Sequence, residues 1–237
     1  SGCSAHLDIS HAGAATNLGS NFNGSAAPVA TKTHVLSNGS GNNRIVLVGV
    51  AAPEPYTPGA TVKYNGTPMT AGPSAVQSEN NSYAQIFYLM DGSLPATAGS
   101  YPVTVTFTTN LYPGVGAFDV VEFKNVQQGS PFVTTASNGD NTDCSVKGDR
   151  TATLSFTQAG TWGYAVTGAR TGDNAVPNPG FLVQTMNQAL PSPPDTTPFV
   201  AVAGYGGPLS SASSFTWNIQ NCWNSASVAV ALKRVGD

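Results

Sequence analysis

Residues 138–149 read NGDNTDCSVKGD and hold the densest set of hard oxygen donors in the chain. Calcium takes roughly six to eight such oxygens, and Asp140, Asn141, Asp143 and Asp149 could supply several of them. The spacing departs from the EF-hand loop, which needs Asp-x-Asp/Asn-x-Asp/Asn-Gly and a glutamate at the twelfth position. Lys147 and Arg150 could neutralise the same carboxylates. The competing reading is a solvated polar loop pinned by Cys144. Calcium is the one cofactor this pattern suggests; otherwise none is expected.

Other groups form weaker constellations. Glycoside hydrolysis needs two carboxylates facing each other, about 5–9.5 Å apart. The glutamates are Glu54, Glu79 and Glu122, and no spacing pairs them with each other or with Asp119. In the run GAFDVVEF, strand alternation puts Glu122 on the face of Val120, with Asp119 on the opposite face. There is no Gly-x-Ser-x-Gly elbow. Gly114-Val115-Gly116 is too short for a phosphate loop. His6, His11 and Asp8 would ligate a metal only if the chain curved. His34, beside an apolar run, reads as a hydrogen-bonded structural histidine.

The aromatic residues are the stronger lead. Trp217 and Trp223 lie in FTWNIQNCWN among Asn221 and Asn224, and Tyr56 and Tyr112 lie in the proline-containing stretches PEPYTPG and NLYPGVG. Sugar rings stack on exposed aromatic faces while amides bond their hydroxyls, so these six residues are the expected ligand-binding set. The alternative is that the tryptophans close the end of a core, since large aromatics are mostly buried.

Charged residues make up 9% of the 237 and the net charge is −3. So weak a field neutralises few phosphates, which argues against a nucleic-acid partner. No run of about 18 apolar residues is present, so no transmembrane segment is expected. Low charge with 40% hydrophobic residues reads as a folded chain whose surface is Ser, Thr, Asn, Gln and Gly. Such surfaces are common outside cells. In an oxidising compartment Cys144 and Cys222, each in a polar, turn-rich stretch, are the expected disulfide, although spacing alone does not fix the pairing. The opening SGC resembles the cleavage box of bacterial lipoproteins, which would make Cys3 a lipid anchor; a free thiol in a frayed terminus is the alternative.

The elements that must position these residues are strands. RIVLVGV, YAQIFYLM, YPVTVTFTT, GAFDVVEF, TATLSF, WGYAVTG, PFVAVAGY, SSFTWNI and SVAVALKR are β-branched or aromatic runs of strand length. In YPVTVTFTT the Tyr and Val side chains point one way and Thr104, Thr106 and Thr108 the other. Asn65-Gly66 is the strongest hairpin signal. Helix is nearly absent; FLVQTMNQAL suits a short helix and a strand equally. The expected fold is an all-β antiparallel sandwich, jelly-roll-like, with more than ten short strands, each sheet having one dry and one wet face. Residues 1–30 read as an N-terminal arm or first strand, and 31–237 as a single sandwich domain with no internal repeat.

NNRIVLVGV, VKYNGTPM, IFYLMDG, GSYPVTVTF and ASVAVALKR together resemble the strand order of β-sandwich modules in bacterial secreted and cell-surface proteins. The resemblance runs from His34 onward and is structural. It implies a sandwich and an extracellular or bacterial cell-surface location, and it carries no catalytic residues across. The leading expectation is therefore a non-catalytic surface module that binds carbohydrate. The second is a structural or adhesive subunit of a filament, layer or particle coat, with self-association through the N-terminal arm. The third is a glycan-active hydrolase.

Overall fold

The structure, a computed structural model, describes residues 9–11, 29–53, 59–77, 82–107, 116–140, 148–155, 161–171, 175–177, 183–190, 199–209, 212–219 and 222–236. Among these lie seventeen strands and one 3-10 turn (Asp91–Ser93). The first half contains β1 (Ile9–His11), β2 (Val29–Leu36), β3 (Ile45–Pro53), β4 (Ala60–Tyr64), β5 (Thr67–Pro68), β6 (Thr70–Gln77), β7 (Ser82–Met90), β8 (Gly99–Phe107) and β9 (Ala117–Phe123). The second half contains β10 (Phe132–Asp140), β11 (Gly148–Ser155), β12 (Gly163–Thr171), β13 (Ala175–Pro177), β14 (Val183–Leu190), β15 (Phe199–Gly206), β16 (Ala212–Ile219) and β17 (Cys222–Leu232). The ambiguous stretch FLVQTMNQAL contributes the strand β14.

All pairings are antiparallel and they nest. In the first half β1 pairs β9, β2 pairs β8 and β3 pairs β7. This folded-over nesting is the jelly-roll wiring: the chain passes back and forth between an inner sheet, β1-β9-β3-β7-β6, and an outer sheet, β2-β8-β4-β5, with the hairpins β4-β5 and β6-β7 each kept within one sheet. The second half repeats it. There β10 pairs β17, β11 pairs β16 and β12 pairs β15, giving an inner sheet β10-β17-β12-β15-β14 and an outer sheet β11-β16-β13. The chain is thus a tandem repeat of one topology, which its residue patterning did not reveal.

The two halves are stacked through their inner sheets, making four layers. Ile45, Leu47, Ile86, Val121 and Phe123 of the first half share one core with Tyr164, Val166, Ala201, Val228 and Val230 of the second. A second core lies between the first half's two sheets, built from Val46, Val48, Phe87, Val103, Val105 and Phe118. A third, with Val200, Val202, Phe215 and Trp217, lies between the two sheets of the second half. The central strands of the inner sheets therefore have no wet face, while edge strands such as β6 keep exposed positions. Every residue of β3, β9 and β15 is buried, which explains why their sequences run almost continuously apolar. Strands of the outer sheets alternate instead, as β2 does with exposed Val29, Thr31, Thr33 and Val35 between inward neighbours.

Local signals fit this frame. Asn65 and Gly66 have φ of 47° and 82° and join β4 to β5, as a two-residue hairpin of the I′ kind requires. Arg44, immediately before β3, is fully buried; it pairs with Asp91 at 2.5 Å and donates to the carbonyls of Asn38 and Pro95. Gln128 accepts from the Asp91 N–H and donates to the carbonyls of Arg44 and Val126, tying the connection between the halves to this network.

Close contact between the inner sheets depends on glycine. A Cβ on Gly49 would overlap Val166 and the Tyr164 hydroxyl, and one on Gly168 would lie 2.9 Å from the Tyr83 carbonyl oxygen. Gly168→Ala is expected to cost about 1–3 kcal/mol through overpacking. Gly129→Ala, where a Cβ meets nothing within 4 Å, should stay within about 0.5 kcal/mol of the parent. Urea unfolding of both variants checks the contrast.

Candidate functional site

The polar side chains that the fold brings together lie inside it, in two groups on either side of β9. Strand alternation sends Glu122 toward the outer sheet and Asp119 toward the second half, and both are buried. Glu122 accepts from the Ser37 N–H at 2.7 Å and from the Asn38 side-chain amide at 3.1 Å, so it fixes the turn that follows β2. Beside it, His34 Nδ1 and the Tyr64 hydroxyl are 2.9 Å apart, and the ring of Tyr101 lies 6.1 Å from that of Tyr64. His34 is thus the hydrogen-bonded structural histidine expected from its position.

Burial pushes the His34 imidazole down to about 4, and the Lys32 ammonium nearby pushes in the same direction. Burial pushes the Tyr64 phenol up, and the charge of Glu122 adds to that. His34 is neutral at physiological pH, and its Nε2 has no hydrogen-bond partner.

On the other face, Asp119 sits between the two halves. Its Oδ2 accepts from the Tyr164 hydroxyl at 3.2 Å, while its Oδ1 lacks a partner. Burial raises its carboxyl, against the Thr185 and Tyr164 hydroxyls and the Lys32 charge, which pull it back. The same enclosure raises the phenols of Tyr164 and Tyr205, with the Asp119 charge contributing to each. The Lys32 ammonium is lowered by its own burial. A second hydrogen bond crosses the halves: the Ser82 hydroxyl donates to Asn224 Oδ1 at 2.5 Å.

Two of the expected ligand-binding residues are core residues. Trp217 is 1% exposed and packs in the third core, filling the space above Gly204, where an added Cβ would come within 3.0 Å of it. On β16 it shares a face with Phe215, also buried, so alternation turns both rings inward. Asn224 is fully buried and held by Ser82. Neither presents a surface to a sugar. The two-residue spacing of Phe215 and Trp217 was the signal for this, masked by the amides around them.

Trp223, Asp140, Asp149 and Cys222 lie on strands, but their side chains are outside the described residues. Asp140 ends β10 opposite Ser225, and Asp149 lies on β11 opposite Asn218, so they flank the 141–147 connection from different sheets. Asn141, Asp143, Cys144, Asn221, Tyr56, Tyr112, Cys3, Glu54 and Glu79 fall outside the described residues. Among the described residues no three of His, Cys, Asp and Glu stand together as a metal site. No helix of the described residues is long and apolar enough to cross a membrane. No known protein family matches the chain, and no curated protein or solved structure matches it either.

His34 and Asp119 should give stability opposite slopes in pH. The folded state holds the His34 pKa below its unfolded value, so its contribution is lost as pH falls from about 6.5 toward 4, by up to roughly 3 kcal/mol. The folded state holds that of Asp119 above its unfolded value of 3.8, so its contribution is complete below that pH and is lost as pH rises. Thermal unfolding across pH should therefore show that His34→Gln flattens the acid limb. Asp119→Asn should gain stability relative to the parent as pH rises from 4 to neutrality. Parallel pH profiles for parent and variants would refute both assignments.

Proposed function

We propose that this chain is a non-catalytic module displayed outside a bacterial cell or on its surface, and that its ligand is carbohydrate. The observation that supports the non-catalytic part is the fate of the described acids and histidine. Glu122 braces a turn, Asp119 points into the seam between the halves, and His34 bonds Tyr64. Asp119 and Glu122 occupy opposite faces of one strand, so they do not oppose each other across a sugar as a hydrolase pair must. The carbohydrate part rests on the neutral hydroxyl- and amide-rich composition and on the aromatic positions Tyr56, Tyr112 and Trp223.

The same reading includes the Cys144–Cys222 bridge. The chain leaves β10 opposite Ser225, beside the start of β17, where Cys222 lies, and Cys144 follows within that connection. Calcium held by Asp140, Asn141, Asp143 and Asp149, and a lipid on Cys3, belong to the reading as further proposals. The second reading, a structural or adhesive subunit, is favoured by β1 (Ile9–His11), a strand of the N-terminal arm that pairs along β9 at the edge of the inner sheet, the kind of pairing by which an arm could add to a neighbour's sheet.

Retention on a panel of soluble and insoluble polysaccharides, with calcium and with chelator, tests the first reading. The expected result is retention that Trp223→Ala abolishes in a protein of unchanged stability. Trp217→Ala should instead destabilise the fold by about 3–5 kcal/mol, as large aromatic truncations in cores do. No retention, together with self-association as concentration rises, would favour the second reading. Intact mass before and after reduction tests the bridge, which predicts a gain of two hydrogens.

A further inference from the structure

Three polar atoms near the Asp119 carboxyl are buried without a hydrogen-bond partner: Lys32 Nζ, Asp119 Oδ1 and the Thr185 hydroxyl oxygen. They come from three different sheets. Lys32 lies on β2, the edge strand of the first outer sheet, on the inward face between Ala30 and His34. Asp119 lies on β9, whose outer edge β1 covers at Val121–Phe123. Thr185 is the extra residue of a bulge in β14, between Gln184, which pairs Gly204, and Met186, which pairs Ala203. A bulge re-aims a side chain, and here it brings the Thr185 hydroxyl to the Asp119 carboxyl. The Tyr164 hydroxyl donates to the other carboxylate oxygen, Oδ2, at 3.2 Å.

An amine and an acid whose charges act on each other would ordinarily close into an ion pair and satisfy both atoms. Among the described residues the ion pair is Arg44–Asp91, and Lys32 and Asp119 form none. Burial supplies the reason. It lowers the Lys32 ammonium and raises the Asp119 carboxyl, so the neutral amine and the neutral acid are both favoured. A desolvated neutral lysine is a nucleophile, and a protonated carboxyl can lose its hydroxyl.

We propose that the Lys32 and Asp119 side chains join in an amide cross-link, which the folded chain forms on itself. This goes beyond the carbohydrate reading and does not rest on it. Rotation of the flexible Lys32 side chain carries Nζ to Asp119 Cγ. The nitrogen lone pair attacks Cγ, the Nζ–Cγ bond forms and the Cγ–Oδ1 bond breaks. Oδ1 leaves as water, with its own proton and one of the two amine protons, so no oxidant or other reactant is needed. The Tyr164 hydroxyl polarises the Cγ–Oδ2 bond and stabilises the charge that grows on Oδ2 during attack. The Thr185 hydroxyl is placed to pass the amine proton to Oδ1. The bond ties the edge of the outer sheet to the inner strand that faces the second half. Like a disulfide it constrains the unfolded chain, but a reductant does not open it. Closure consumes the Asp119 carboxyl, so the pH slope of that group belongs to the open chain. Lys32→Met, which cannot close, is the background in which to read it.

Intact mass of the full chain, denatured and reduced, tests the proposal. The parent is expected to weigh one water less than its sequence. Fragmentation of its digest should yield a branched peptide joined through Lys32 and Asp119. Lys32→Met should have its full sequence mass. Tyr164→Phe should close more slowly, giving open and closed masses whose ratio shifts with time. Full sequence mass in folded parent after prolonged incubation would overturn the proposal. So would a deficit that persists in Lys32→Met, since that would place the water loss elsewhere, as in an imide at Asp91-Gly92. The parent measurement needs no variant to fold. The carbohydrate reading fails separately, through retention that Trp223→Ala does not affect.

Discussion

The constraint on which this structure depends is that its two inner sheets bury each other. A sheet covered on both faces cannot use alternation to reach water, which favours residues that are apolar, small or hydrogen-bonded at each position. That accounts for the continuous runs IVLVGVAAP and FVAVAGYG and for the alanines and glycines among them. Small residues let the layers approach, and Gly49 makes room for the Tyr164 ring from the opposing sheet. The low content of charge agrees with the same geometry, because the central strands of two of the four layers have no exposed face to carry it.

Enclosing so much sheet leaves a few polar groups inside, and their partners show how the halves are registered. Tyr164 reaches across to Asp119, and Ser82 reaches across to Asn224. Both contacts join a strand of the first half to one of the second, at separate places in the seam. A slip between the halves would strand buried oxygens and nitrogens, at about 1–3 kcal/mol each. Apolar contact alone tolerates sliding; these polar pairs do not. Asp119 also keeps one carboxylate oxygen unpartnered. The seam is accordingly one place where pH acts on stability, and His34 beside the first half's own core is another.

Local physics was legible in the sequence, and non-local physics was not. The Asn65-Gly66 turn, the opposed faces of Asp119 and Glu122, and the outward threonines of β8 each follow from residues within a few positions of one another. The repeat was invisible because it resides in pairing. β3 reads IVLVGVAAP and β12 reads GYAVTGART, yet each occupies the centre of its inner sheet. Alternation reports which face a residue takes, and cannot report which sheet covers that face. Trp217 and Asn224 were misplaced for the same reason. Polar neighbours suggested a wet rim, but the layer above Trp217 and the serine opposite Asn224 come from strands distant in sequence.

With both inner faces occupied, any partner must meet the outer sheets, the edges or the connections. These surfaces differ in what binding would cost. A connection that must be ordered on binding loses conformational entropy, whereas a sheet already fixed by three layers beneath it loses little beyond its side-chain rotamers. Threonine limits even that loss, because a β-branched side chain has restricted χ1 freedom before any ligand arrives. A flat sheet face offers little enclosure to a small molecule, so binding there would need many weak, simultaneous contacts. The doubling of the jelly roll contributes to this indirectly: the second half supplies the buried foundation that holds the first half's outer sheet in register.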